Sequence, residues 1–266
     1  VPVDIRVTVG SIPPLFPDET NTGVPASVEL TSHDGNVETT EAGQLIEALD
    51  INGSVVVKHP GVVIRNCRIT GWQFFGIVTE SGAATGDPLL VDHCTISDPS
   101  VLGGSTAITE FNFTAKSCNI FNVENGFDVS ADVLIQDCYV HDLFNGDGDP
   151  HSDCIQTSTG VDISNVTIRH NRLYCFGGGV GGTSCIICAI GSLSFTDILI
   201  ENNLMAGGSF ALYGPQSTTG DNVQIVDNKF STIFFETVGA FGPWTDATDE
   251  AAVSGNVIFE TGESIP

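Results

Sequence analysis

The sequence predicts an all-β fold, wound as a single-domain parallel β-solenoid of roughly nine to ten coils, and three observations carry that expectation. A short pattern, apolar-x-apolar-x-x-(Cys or Asn)-x-apolar, returns eight times, beginning at Val62, Leu89, Phe113, Val133, Val166, Ile198, Val223 and Ala251, at intervals of 20 to 33 residues. Its apolar columns are rich in β-branched residues and admit no charge, while the positions between them carry Arg, Asp, Lys, Thr and Gln; no helical period competes with this alternation. The sixth position is Cys67, Cys94, Cys118 and Cys138 in the first four copies and Asn171, Asn203, Asn228 and Asn256 in the last four.

Residues 1–36 precede the repeat and read as an N-terminal extension and cap; 37–262 read as coils, with one or two less regular ones before Val62. A single turn cannot bury its own apolar face, so each coil must stack on its neighbours. At the spacing of strands in a sheet the rod is on the order of 45 Å long. The third-position column (Ile64, Val91, Ala115, Ile135, Ile168, Ile200, Ile225, Val253) and the eighth-position column (Ile69, Ile96, Ile120, Val140, Leu173, Met205, Phe230, Ile258) are the expected core. The sixth-position residues read as a buried ladder. Each Asn there bonds backbone groups of its own turn and the amide above it, and each thiol fills the corner without needing a partner. Two long gaps interrupt the repeat, from Val140 to Val166 and from Cys175 to Ile198. In the second, CFGGGVGGTSCIIC, a Cys175–Cys185 disulfide is expected to pinch the Gly-rich loop. The CxxC of Cys185 and Cys188 has no second pair, so a zinc site is not expected.

Composition narrows the function. Thirty-three acidic against eight basic residues give a net charge of −25, which repels phosphates and excludes a nucleic-acid partner. No apolar run approaches the length of about 18 residues needed to span a membrane. Eight cysteines in a β-rich chain point to an oxidising compartment, and the start at Val1 fits a mature secreted form. A secreted, extracellular, monomeric protein acting on a polysaccharide is the expectation.

Solenoid sites lie on an outer face or in the loops beside it, so the longest gaps hold the first candidates. HDLFNGDGDPHSDCIQT contains Asp142, Asn145, Asp147, Asp149, His151, Asp153 and Gln156, and the next strand brings Arg169, His170 and Arg172. Proton abstraction beside a sugar carboxylate needs a base, a neutralising cation and an acid. His151 is the candidate base, Lys116 or Arg169 the neutralising charge, and Asp147, Asp149 and Asp153 a candidate calcium site; no other cofactor is implied. Glycoside hydrolysis would instead use two carboxylates from Asp147, Asp149 and Asp153. Gln156, His170, Arg172 and Asp147 are the candidate substrate-binding residues. The fourth position of the repeat (Arg65, Asp92, Lys116, Gln136, Arg169, Glu201) would form one outward column with cross-strand pairs. In it, Lys116 and Arg169 stand two coils apart, about 10 Å.

These residues resemble known families. The whole chain resembles the right-handed parallel β-helix superfamily, which includes pectate, alginate and chondroitin lyases, polygalacturonases and alginate epimerases. FPDETNTGVPASVEL followed by VVIRNCRITG is similar to a group of secreted bacterial β-helix proteins. CYVHDLFNGDGDPHSD resembles the mannuronan epimerases, whose Asp-Pro-His motif falls here on Asp149, Pro150 and His151, with Gly146 where that family has a tyrosine. That resemblance implies acid/base roles for His151 and Asp149, and a role for Lys116 at the substrate carboxylate. Ser152-Asp153-Cys154-Ile155 resembles the paired-aspartate strand of polygalacturonases with one aspartate replaced. The resulting expectation is a lyase or epimerase abstracting the proton at sugar carbon 5 of an acidic glycan. A glycoside hydrolase using paired aspartates is the alternative, and a non-catalytic glycan-binding or surface-fibre β-helix the third.

Overall fold

The computed structural model describes residues 16–98, 105–144, 151–177, 180–188, 191–215, 220–247 and 251–265. Its strands form three long sheets visited in rotation, so that each turn of chain adds one strand to each. Sheet I runs from Thr31–Asp34 to Val257–Ile258, sheet II from Val37–Glu38 to Gly242–Thr245, and sheet III from Leu45–Glu47 to Ala252–Ser254. Every coil-to-coil pairing is parallel; the antiparallel pairing of Phe176–Gly177 with Val180–Gly181 belongs to a small hairpin outside the rotation. Nine strands in each of sheets II and III give the coil number that the repeat predicts.

Each repeat copy supplies a strand of sheet III, a sharp corner, and a strand of sheet I. The third-position column is in register throughout, Ile46 joining it from an earlier coil: Ile46↔Ile64↔Val91↔Ala115↔Ile135↔Ile168↔Ile200↔Ile225↔Val253. The eighth-position column is likewise continuous from Ile51 to Ile258. Trp72 also lies in this core at 5 % exposure. The corner needs a left-handed residue, and the fifth position supplies it: Asn66, His93, Ser117, Asp137, His170, Asn202 and Asp227 all have φ between 49° and 55°. Small polar side chains that bond locally tolerate this region best, which explains the Asn and Asp content of that position.

The sixth-position ladder is tighter than expected. Asn203 donates from Nδ2 to Ile168 O (2.9 Å) and Asn228 Oδ1 (3.0 Å), and its own Oδ1 accepts from the backbone N–H and Nδ2 of Asn171. The backbone partners therefore belong to the neighbouring coils, not to the residue's own turn. The thiols are not without partners: Cys94 Sγ donates to Ile64 O and Cys118 Sγ to Val91 O, the same third-position carbonyl that each Asn uses. A Cys in this corner thus takes over one of the four bonds that an Asn makes.

All eight cysteines are buried free thiols, which corrects the expected Cys175–Cys185 disulfide. Cys175 Sγ donates to Ser152 O, whereas Cys185 Sγ donates to Leu173 O and Ala206 O, so the two sulfurs are aimed at different backbone acceptors. Residues 16–30 run alongside the rod, back towards its first coil. Phe16 stacks on His170 at 5.4 Å, Gly23 N donates to Ser117 O, and Thr31 N donates to Ala48 O. Gly23 is needed for close approach: at φ 74°, a Cβ there would lie 2.5 Å from Thr95 Oγ1.

Candidate functional site

The sequence-derived candidates are spread over all three faces. Lys116 and Arg169 stand exposed on sheet III, in register through Gln136. His170 occupies the corner between sheets III and I, where its Nδ1 meets Asp137 Oδ1 at 2.6 Å. Arg172 lies on sheet I with its guanidinium over Tyr139 (5.6 Å) and Tyr174 (5.7 Å), and donates to Phe16 O. It is committed to packing. His151 is exposed in the connection from sheet I to sheet II, and Gln156 lies on the sheet II strand that follows. Asp147 and Asp149 lie outside the described residues, as does the expected calcium cluster that they would form. Among the described residues no set of three or more His, Cys, Asp or Glu side chains is placed to hold a metal.

Asp153 is only 2 % exposed. In the register of sheet II it sits between Asn125 and Ser184. Its N–H donates to Asn125 Oδ1 (3.0 Å) and its carboxyl accepts from Ser184 Oγ (2.5 Å). Burial raises its pKa to about 7, and the hydrogen bonds from Ser184 only partly offset that. A carboxyl so enclosed belongs to the wall of the coil rather than to an open cleft. In the outward column on sheet III, Arg65 bonds Glu47 (2.7 Å) and Arg169 bonds Gln136.

What sheet II brings together is a second set of carboxylates. Asp128 and Gln156 are register partners between Thr109 on one side and Ile187 on the other. Asp128 accepts from Gln156 Nε2 (3.0 Å) and from Ser158 Oγ (2.5 Å), one donor for each oxygen. Glu110, at the end of the strand one coil earlier, has φ 93°, outside the usual left-handed well for a side chain of this kind. Its pKa is raised, first by burial and then by the charge of Asp128. Both carboxylates are half-buried. Neither stands out in the sequence, because each is a single acid in an otherwise apolar or neutral strand; acids near the ends of strands one coil apart were the available signal.

The right-handed beta helix region, as a family, matches residues 46–186, more than half of the chain. The chain belongs to the right-handed β-helix family. No curated protein matches it. The family is compatible with proteins that act on polysaccharides and with surface β-helix proteins. In this β-helix no helix among the described residues is long and apolar enough to cross a membrane.

The chemistry open to this β-helix follows from how its groups divide between faces. Base and cation for proton abstraction are separated: His151 lies at the sheet I to sheet II connection, while Lys116 and Arg169 lie on sheet III, across the width of sheet I. Glu110 and Asp128, in contrast, stand on adjacent coils of sheet II, near enough for the charge of Asp128 to act on Glu110, and Glu110 is held towards its protonated form. Two carboxyl groups in unlike surroundings are what an acid and a base or nucleophile require.

Proposed function

We propose that the protein is a polysaccharide-active β-helix enzyme that cleaves glycosidic bonds on the outer face of sheet II. In this reading Glu110 is the general acid, and Asp128, oriented by Gln156 and Ser158, is the base or nucleophile. The observation that supports it is the Glu110/Asp128 pair itself: burial and a neighbouring charge favour the protonated form of one, while the other has both oxygens held by neutral donors. The lyase or epimerase alternative asks for a cation beside His151, and the cations named for it stand on another sheet.

A panel of neutral and acidic polysaccharides, assayed for both reducing ends and ultraviolet-absorbing unsaturated ends, tests the proposal. New reducing ends without unsaturated ones are expected, with a loss of about a hundredfold or more in Glu110→Gln and in Asp128→Asn. Unsaturated products, or full activity in both variants, would overturn it.

A further inference from the structure

Seven of the eight basic residues are described, and they are not equivalent. Lys58, Arg65 and Arg68 are each neutralised by a carboxylate, from Glu38, Glu47 and Asp50 respectively. Lys116 makes no ion pair among the described residues, and Arg169 bonds only the neutral Gln136, through Nε and Nη2. These two belong to one outward column of sheet III, in which Lys116, Gln136 and Arg169 follow one another on successive coils with no acid between them. Asp92 and Glu201 continue the column on either side. In a chain of net charge −25, this column thus holds two cations that make no ion pair among the described residues.

A groove of about 640 Å³ lies on the same face, within the size range of ligand sites. Its floor crosses three coils through Thr114, Leu134 and Thr167, which are in register. The segment 84–88 lines one part of it, and Arg169 another. Asp132 and Asn165 also line it, but the Asn165 amide donates to Asp132 Oδ1 at 2.7 Å and occupies that oxygen. Hydroxyls and amides facing a shallow trough offer many weak hydrogen bonds to sugar hydroxyls, and Arg169 retains Nη1 without a partner among the described residues. Gln136 holds the guanidinium in place by accepting from two of its nitrogens while donating its own amide to Asp137. A guanidinium fixed in this way loses little freedom when an anion arrives.

We propose that the sheet III face, the groove lined by Arg169 together with Lys116 beyond its lining in the same outward column, is a glycan-binding site for a chain bearing carboxylate or sulfate groups, with Arg169 and Lys116 each meeting one anionic group. Two coils separate the cations by about 10 Å, a span that suits anions on alternate sugars of an extended chain. The site is distinct from the Glu110/Asp128 face and contains no acid/base pair of its own, so its role is to hold polymer rather than to cut it. It rests on the glycan reading above only in the class of ligand.

The test is calorimetric titration of the full chain with three oligosaccharides of matched length: a galacturonate, a sulfated galactan and an uncharged glucan. The wild type is expected to bind at least one anionic oligomer about tenfold more tightly than the uncharged one, and to lose that preference in Arg169→Gln and Lys116→Gln. Raising the salt concentration should weaken the anionic ligand alone. Binding only the galacturonate identifies a carboxylate as the recognised group, and binding only the sulfated oligomer identifies a sulfate. Arg169→Lys keeps the charge and should restore part of the affinity, with circular dichroism checking that each variant is folded. Equal affinity for charged and uncharged oligomers, or no change in the Gln variants, overturns the proposal. Cleavage that depends on Glu110 can survive that result, and a groove that binds anions can survive the loss of the hydrolase reading.

Discussion

Gln156 reaches across one coil to donate a hydrogen bond from Nε2 to Asp128 Oδ2, 3.0 Å away. Because Ser158 holds the other carboxylate oxygen, Asp128 has little freedom to rotate. Removing one donor should therefore misplace the carboxylate while leaving substrate binding largely intact. Gln156→Ala is expected to lower kcat about 10- to 100-fold with little change in KM, the cost of a hydrogen bond to a charged group. Steady-state kinetics on the best polysaccharide of the panel decides this. A rise in KM at constant kcat would make Gln156 a simple substrate contact instead.

Asp153 provides a prediction about stability that is independent of any activity. Its folded pKa of about 7 lies above the ordinary value of 3.8 because burial disfavours its charge. Between those two values the folded carboxyl keeps its proton and the unfolded one has lost it. Its contribution to stability is therefore complete below about pH 4 and falls as pH rises through 7, by roughly 4 kcal/mol at most. Asp153→Asn removes the titration and preserves an acceptor for Ser184. The variant should melt above the wild type at pH 8 and near it at pH 4. An unchanged difference across that range would show that Asp153 does not carry the dependence.

The rod was legible in the sequence because its core repeats as columns: Ile64 to Val253 and Ile69 to Ile258 need only register to become two walls. The corner was half legible. The Cys and Asn of position six were visible as a ladder, but the left-handed residues before them looked like a random polar set until the common φ of Asn66, His93, Asp137 and His170 explained them. The site was less legible for a different reason. HDLFNGDGDPHSD draws attention by density, yet Asp153 within it is buried in a polar row with Asn125 and Ser184, whereas Glu110 and Asp128 come onto neighbouring strands of sheet II only because a coil of chain separates them. Contacts between coils depend on register, and local composition does not encode it.

The ladder itself can be tested by comparing its two chemistries. Asn203→Ala removes a buried amide that four groups use: the Asn171 N–H loses its acceptor and Ile168 O its side-chain donor, while Asn228 Oδ1 keeps the bond from the N–H of residue 203 and Asn171 Nδ2 its bond to Ile135 O. Cys94→Ala removes a smaller, weaker donor to Ile64 and Asp92 carbonyls. Denaturant unfolding is expected to show a loss of about 3 kcal/mol or more for the Asn variant and about 1 kcal/mol for the Cys variant. Equal losses would mean that the corner is stabilised by packing volume alone.

Arg172 ties the segment that begins at Phe16 to the rod. Its guanidinium rests on Tyr139 and Tyr174 while Nη2 donates to Phe16 O, and Phe16 in turn stacks on His170. Only this end of the segment depends on those contacts; the backbone bonds of Gly23 and Thr31 fasten the remainder. Arg172→Ala loses the charged hydrogen bond to Phe16 O, worth about 1.5 kcal/mol, so the Phe16 end should open roughly tenfold more often. Limited proteolysis by a glutamate-specific protease, followed by mass spectrometry, should show cleavage after the exposed Glu19 accelerating by about that factor, with the coils remaining intact. Unchanged cleavage would mean that the stacking of Phe16 on His170 holds this end without help from the arginine.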